Sequence, residues 1–335
     1  MPVKYHAIGY AMNDSLPGVT REDVLCLTHI NLAFGLVRDG LLDMRMLSHM
    51  DLIPQWKRWN PNLRVVLSVG GWGAGGFSGM AMTEEGRRKF AASCLDAVER
   101  YGLDGIDIDW EYPCSDVAGI DADPRDKENY TQLLQALREM LGGRRILSVA
   151  VGASEDFIRR TEMDAVAQIV DYVQLMTYDM RGFSPEAGHH AALGPSRGDT
   201  SKASARAVVE LFCSAGVPYE KMIIGAAFYA RHFTGVADVN HGLLQRAAAW
   251  HEGPTYGELT EAFRRENRFV EYWDEEAEAA WLWNGNTFIS FESPEAIRRK
   301  CAFVKQKGLL GVMYWEHGSD PSRELLNIIA DALHG

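Results

Sequence analysis

Residues 104–113 read Asp-Gly-Ile-Asp-Ile-Asp-Trp-Glu-Tyr-Pro, and within them Asp107, Asp109 and Glu111 alternate with Ile106, Ile108 and Trp110. On a strand, a period of two sends the three carboxyl groups to one face and the apolar groups to the other. Helix-period segments flank the stretch on both sides, which points to a buried parallel strand. Three buried acids lose much of their hydration and resist ionising together at close range. The arrangement costs stability, and chemistry is the better reason for it. One carboxyl is pushed towards the protonated form beside others that stay charged, the condition for acid catalysis near neutral pH. Asp104 falls out of phase with the other acids and is expected to be structural.

The elements that position these acids follow from periodicity. Apolar, β-branched runs at 4–10, 29–37, 64–71, 103–111, 145–151, 171–178, 222–229 and 309–315 read as strands. Helical periodicity appears near 43–58, 83–101, 126–141, 161–169, 203–215, 294–307 and 321–333. In the second of these, Phe90, Cys94 and Val98 recur at four-residue spacing, and Gly102 marks the stop. Eight strands alternating with helices predict an α/β fold, a (β/α)8 TIM barrel whose chemistry lies at the C-terminal strand ends. One interval breaks the rhythm. Residues 232–291 hold Trp250, Tyr256, Tyr272, Trp273, Trp281 and Trp283. A structureless loop of that length is improbable in a compact domain. The segment is expected to be a small α+β insertion between the seventh strand and its helix, leaving 1–231 and 292–335 as the barrel.

Composition narrows the partners. The 335 residues carry 46 acidic and 34 basic side chains, a formal net charge of −12. That balance argues against nucleic acid, anionic membranes and polyanionic glycans, and favours a neutral substrate. No run of about 18 apolar residues is present, so no membrane-spanning helix is expected. The first residues show no basic-then-apolar leader. The chain as it stands reads as cytoplasmic, or as secreted if a leader has been removed, with no additional module expected after residue 335. Cys26, Cys94, Cys114, Cys213 and Cys301 are odd in number and widely spaced, and read as reduced thiols. The glycine-rich run 70–76 lacks the Gly-Lys-Ser/Thr ending of a phosphate loop and is expected to be a flexible loop beside the cleft. His189-His190 has no further ligands at metal-binding spacing, so a solvated loop and no metal site are expected there.

The stretch 104–111 matches Asp-x-x-Asp-x-Asp-x-Glu, and the whole chain resembles glycoside hydrolase family 18, the chitinases. The resemblance extends through Gly9-Tyr10, Ala33-Phe34, Ser68-Val69-Gly70-Gly71-Trp72, Gln174-Leu175-Met176-Thr177-Tyr178-Asp179, Tyr229-Ala230-Arg231 and Met313-Tyr314-Trp315-Glu316, each placed at the end of a barrel strand. The family's insertion domain falls where the irregular segment lies. Two departures are visible: Ala230 stands where many relatives have glycine, and Met180-Arg181 replaces the aromatic or histidine residues common after Tyr-Asp.

What the resemblance implies is retaining hydrolysis of β-1,4-linked N-acetylglucosamine in chitin or chito-oligosaccharides, assisted by the substrate itself. Glu111 would be the general acid and base. Asp109 would accept the acetamido N–H and balance positive charge, and Asp107 would share a proton with it. Tyr178 would donate its hydroxyl to the acetamido oxygen, fixing a near-attack geometry. Trp315 would floor the −1 sugar. Asp179 and Arg231 would contact the −1 or +1 sugar, with Tyr10, Phe34, Gly71, Trp72, Trp110 and Met176 lining the remainder and Ser68 structural. The resemblance implies no metal, no organic cofactor and a monomer. Its alternatives are an endo-β-N-acetylglucosaminidase, a peptidoglycan hydrolase or a non-catalytic chitin lectin on the same scaffold.

Overall fold

The computed structural model describes residues 4–181 and 184–335. Eight parallel strands close into a barrel: His6–Met12, His29–Arg38, Arg64–Gly70, Gly105–Asp109, Ile146–Gly152, Tyr172–Met176, Met222–Ala227 and Gly311–Trp315. The first pairs with both the second and the last, which closes the ring. Leu41–Asp43 adds a short antiparallel arm to the second strand.

Helices pack on the outside through the stripes that periodicity marks. Glu84–Tyr101 buries Phe90, Cys94 and Val98 and ends on Gly102 in the left-handed region at φ 63°. Asp126–Leu141 buries Tyr130, Leu133, Leu134 and Leu137. The expected helix over 43–58 shrinks to Ile53–Trp59, because Pro54 suits only the first helical turn and Leu41–Asp43 pairs as a strand. All five cysteines are free, and Cys94 and Cys301 are buried.

A second, five-stranded antiparallel sheet occupies the interval between the seventh barrel strand and the helix Pro294–Lys307. Its strands lie in the order Ala249–Thr255, Tyr229–Thr234, Thr287–Phe291, Ala279–Trp283, Val270–Asp274. The seventh barrel strand stops at Ala227, two residues short of the expected end. Tyr229, Ala230 and Arg231 therefore belong to the second sheet and not to a barrel strand end. Both faces of this sheet are covered. Phe233, Trp281, Trp283 and Phe288 pack on one side, and Ala230, Leu282, Ile289 and Phe291 on the other with Leu259 and Phe263.

The long connection after the sixth barrel strand docks this sheet. Ala187 N donates to the Gln245 carbonyl, His190 N to Ser290 Oγ, and Leu193 N to the Ala277 carbonyl. His189 and His190 are consequently buried, 4% and 2% exposed, which corrects the expectation of a solvated loop.

Candidate active site

The fourth barrel strand carries the acids up the barrel interior. Asp107 is fully buried and receives four side chains: Tyr10 Oη at 2.8 Å, Ser68 Oγ at 2.8 Å, Ser148 Oγ at 2.7 Å and Gln174 Nε2 at 2.9 Å. Strand register explains the set, since Ser68 and Ser148 are the cross-strand partners of Asp107 on either side. Burial raises the Asp107 carboxyl, while these four donors pull it back towards the charged form. One step up, Asp109 is 4% exposed, with no hydrogen-bond partner for Oδ1 among the described residues. Burial first, then the charges of Glu111 and Asp107, raise it well above the ordinary carboxylate range.

Glu111 lies beyond the strand end and is 8% exposed. Burial raises its pKa to about 7; the Asp179 charge adds to this, and a hydrogen bond with Tyr112 opposes it. A carboxyl with that value is about half protonated at neutral pH, so it can both give and take a proton there. Asp179 is the contrasting acid. Burial pushes it up, but His190, 3.4 Å away, and the paired Arg231 guanidinium more than offset this and hold it well below the usual range. Arg231 reaches it with Nε at 2.5 Å and Nη2 at 2.6 Å, and Tyr229 Oη donates at 2.7 Å. The methyl of Ala230 points to the opposite side, into the core under the second sheet, and leaves this pairing intact.

Tyr178 follows the sixth strand, and its hydroxyl donates to Met313 Sδ at 3.8 Å. A thioether is a weak acceptor, so this hydroxyl is easily redirected to a better one. Across the barrel mouth, Trp315 stacks on Phe34 with centroids 5.4 Å apart. Gly71 makes that stack possible, because a Cβ there would lie 2.7 Å from the Phe34 ring. Trp72 is 56% exposed and stands edge-on to Tyr112 at 6.2 Å.

The barrel mouth thus brings together Glu111, Asp109, Tyr178, Asp179, Arg231, Trp72, Phe34 and Trp315. One expected contact is placed elsewhere, and two others form the inner wall of the site. Trp110 faces outward, stacked on Phe77 at 5.2 Å and edge-on to Tyr130, because it shares the outer face with Ile106 and Ile108. Tyr10 is 2% exposed with its hydroxyl on Asp107, which makes it a brace for that acid. Met176 belongs with Tyr10 to the apolar cluster against which Tyr178 and Trp315 pack. Asp104 lies at the far end of the strand, where it accepts from Arg64 Nη1, Val65 N and Lys57 Nζ and ties neighbouring elements.

Sequence reading passed over Ser148, Gln174, Tyr229 and His190 as site residues. A signal existed for the first two: each is a lone polar side chain in an otherwise apolar barrel strand, Ile146–Gly152 and Tyr172–Met176. Tyr229 and His190 depend on the docking of the second sheet, which no local pattern reports.

Known proteins share this architecture. Residues 7–320 match the model of glycosyl hydrolases family 18. Chitinase A1 of Niallia circulans is 33% identical over 313 residues, covering 85% of this chain; the chain spans 44% of that relative's length. The solved structure of a glycoside hydrolase family 18 N-acetylglucosaminidase from Paenibacillus barengoltzii is 47% identical with a TM-score of 0.96, over 98% of this chain and 99% of that one. A class V chitinase mutant from Nicotiana tobaccum in complex with NAG4 is 25% identical with a TM-score of 0.86, over 99% of each chain. On the match across 7–320 and the full-length structural likeness, the chain belongs to glycosyl hydrolases family 18.

Proposed function

We propose that this protein is a chitinase that hydrolyses β-1,4-linked N-acetylglucosamine oligomers with retention of anomeric configuration. The observation that carries the reading is the graded carboxylate column. Asp107 is braced by four donors, Asp109 is raised by burial and then by its charged neighbours, and Glu111 is raised to about 7 at the solvent end. Glu111 gives its proton to the glycosidic oxygen as the C1–O bond breaks. The acetamido carbonyl oxygen of the same sugar bonds to C1, which replaces attack by a protein carboxylate. Asp109 accepts the acetamido N–H and balances the charge that develops. Tyr178 turns its hydroxyl from Met313 to the acetamido oxygen and fixes the attack geometry. Water then adds to C1, returns a proton to Glu111 and frees the acetamide. The Phe34–Trp315 stack offers an aromatic face to the apolar side of the reacting sugar.

A second reading concerns the size of the product. The N-acetylglucosaminidase likeness, which spans nearly the whole of both chains, favours release of single sugars from the same linkage.

Incubation of wild type and Glu111→Gln with N-acetylchitotetraose, with products resolved by size and anomer, tests both. Disaccharide released first as the β-anomer supports the chitinase, and β-N-acetylglucosamine alone supports the second reading. Glu111→Gln is expected to lose at least about a hundredfold in kcat. Wild-type-like turnover by that variant would remove Glu111 from its role.

A further inference from the structure

Behind Tyr178, away from the cleft, two opposite charges are buried together. Lys300, on the helix Pro294–Lys307, is 1% exposed, and Glu292, just beyond the strand Thr287–Phe291 of the second sheet, is 2% exposed. They form an ion pair through Lys300 Nζ and Glu292 Oε1. A buried pair of this kind is costly to desolvate and weak as a source of stability, so another reason for it is worth seeking.

Its remaining contacts converge on one stretch of the seventh barrel strand. Lys300 Nζ donates to the Gly225 carbonyl at 3.0 Å, and Glu292 Oε1 accepts from Ala227 N at 3.4 Å. From the other side, Thr177 Oγ1 lies 2.9 Å from the Gly225 carbonyl and 2.8 Å from Gly225 N. Thr177 is itself fully buried and directly precedes Tyr178. Gly225 is the surface on which Tyr178 rests: a Cβ there would lie 2.7 Å from Tyr178 Cε1 and 2.9 Å from Cδ1. A shift of the Gly225 backbone therefore moves the ring of Tyr178.

We propose that Lys300, Glu292 and Thr177 are positioning residues that hold the Gly225 backbone so that the Tyr178 hydroxyl points at the reacting acetamide. They also link that hydroxyl to the docking of the second sheet, because Glu292 directly follows its central strand, Thr287–Phe291. The proposal rests on the hydrolase reading above. None of the three touches substrate; they act through Tyr178.

The test combines a double-mutant cycle with a structure. Lys300→Met/Glu292→Gln removes both charges and leaves neither uncompensated. On N-acetylchitotetraose its kcat is expected to fall at least about tenfold with KM changed less than about threefold, the pattern of a lost transition-state interaction. Combined with Tyr178→Phe, the further loss is expected to stay under about twofold, because both changes remove one interaction. Wild-type kcat in the paired variant, or losses that multiply in full, would overturn the proposal. Thr177→Val loosens the same backbone without touching a buried charge and gives the same non-additive pattern; it carries the test if the paired variant does not fold, and additivity there is equally fatal. Wild-type turnover separates the two readings. If wild type cleaves no oligomer, the hydrolase reading fails, and the clamp is judged from the crystal structure of Thr177→Val: a Tyr178 ring displaced from Gly225 supports it, and an unmoved ring refutes it.

Discussion

At Glu111, burial and the negative charge of Asp179 act in the same direction, and together they set the pH at which the acid works. The sign follows directly. Glu111 must be protonated to serve as general acid, so turnover is expected to fall as pH rises through about 7. Replacing Asp179 with Asn removes a charge that raises Glu111, so the alkaline limb of the kcat profile should move to lower pH. A profile measured on N-acetylchitotetraose checks this, and an unmoved limb would show that Asp179 does not reach Glu111 electrostatically. Arg231 pairs with both oxygens of Asp179 and offsets part of its charge, so the shift is expected to be smaller than a free carboxylate would give. Asp109 and Glu111 interact closely enough that the observed limb belongs to the pair.

The fourth barrel strand is held from both faces, and the two faces have different work. Its inner face carries Asp107 and Asp109, while its outer face fits Ile106, Ile108 and Trp110 against the helices. Trp110 packs between Phe77 on Phe77–Ala81 and Tyr130 on Asp126–Leu141. Trp110→Ala opens a cavity behind the strand and is expected to cost about 3–5 kcal/mol of stability. Since Trp110 immediately precedes Glu111, kcat should also fall while KM changes little. Denaturant unfolding together with steady-state kinetics would check both; a stable variant with weakened substrate binding alone would return Trp110 to the cleft. Gly70 shows how tightly the third and fourth strands meet, since a Cβ there would lie 2.0 Å from the Asp109 carbonyl oxygen at φ 126°.

The whole molecule is strongly acidic, and one acid-sensitive part of it is a pair of histidines at the opposite end of the barrel. His6 and His29 lie with ring centroids 4.5 Å apart, edge-on to Tyr172 at 5.7 Å. Burial, with His334 nearby, lowers His6 from 6.5 to about 4; burial, then His6 and Arg64, lower His29 well below its ordinary value. Both imidazoles are neutral in the fold and bind protons more readily when unfolded. Their contribution to stability is intact above pH 6.5 and declines as pH falls towards 4. For His6 alone, 6.5 to about 4 at 1.36 kcal/mol per unit amounts to about 3 kcal/mol. Urea unfolding of wild type and of His6→Asn/His29→Asn at pH 7 and pH 4 tests this. The variant is expected to lose less stability on acidification, and equal losses would place the sensitivity elsewhere.

The amino-acid sequence by itself determined the barrel, the carboxylate column and the members of the site that lie on barrel strands or just beyond them. These are properties of local period: alternation on one strand puts Asp107, Asp109 and Glu111 in line whatever the rest of the molecule does. It also placed Asp104 out of phase with them, where it ties strand and helix. Tertiary structure decided what depends on distant segments meeting. Trp110 carries the same aromatic label as Trp315, but strand pairing turned one outward and stacked the other on Phe34. Arg231 reached Asp179 from the second sheet and not from a barrel strand, and the same docking buried His190 against that acid. Lys300 and Glu292 look like ordinary surface charges on a helix and at its start, until packing closes over them. Burial and partner choice are sums over many contacts distant in the chain, and a short window of sequence carries no term for them.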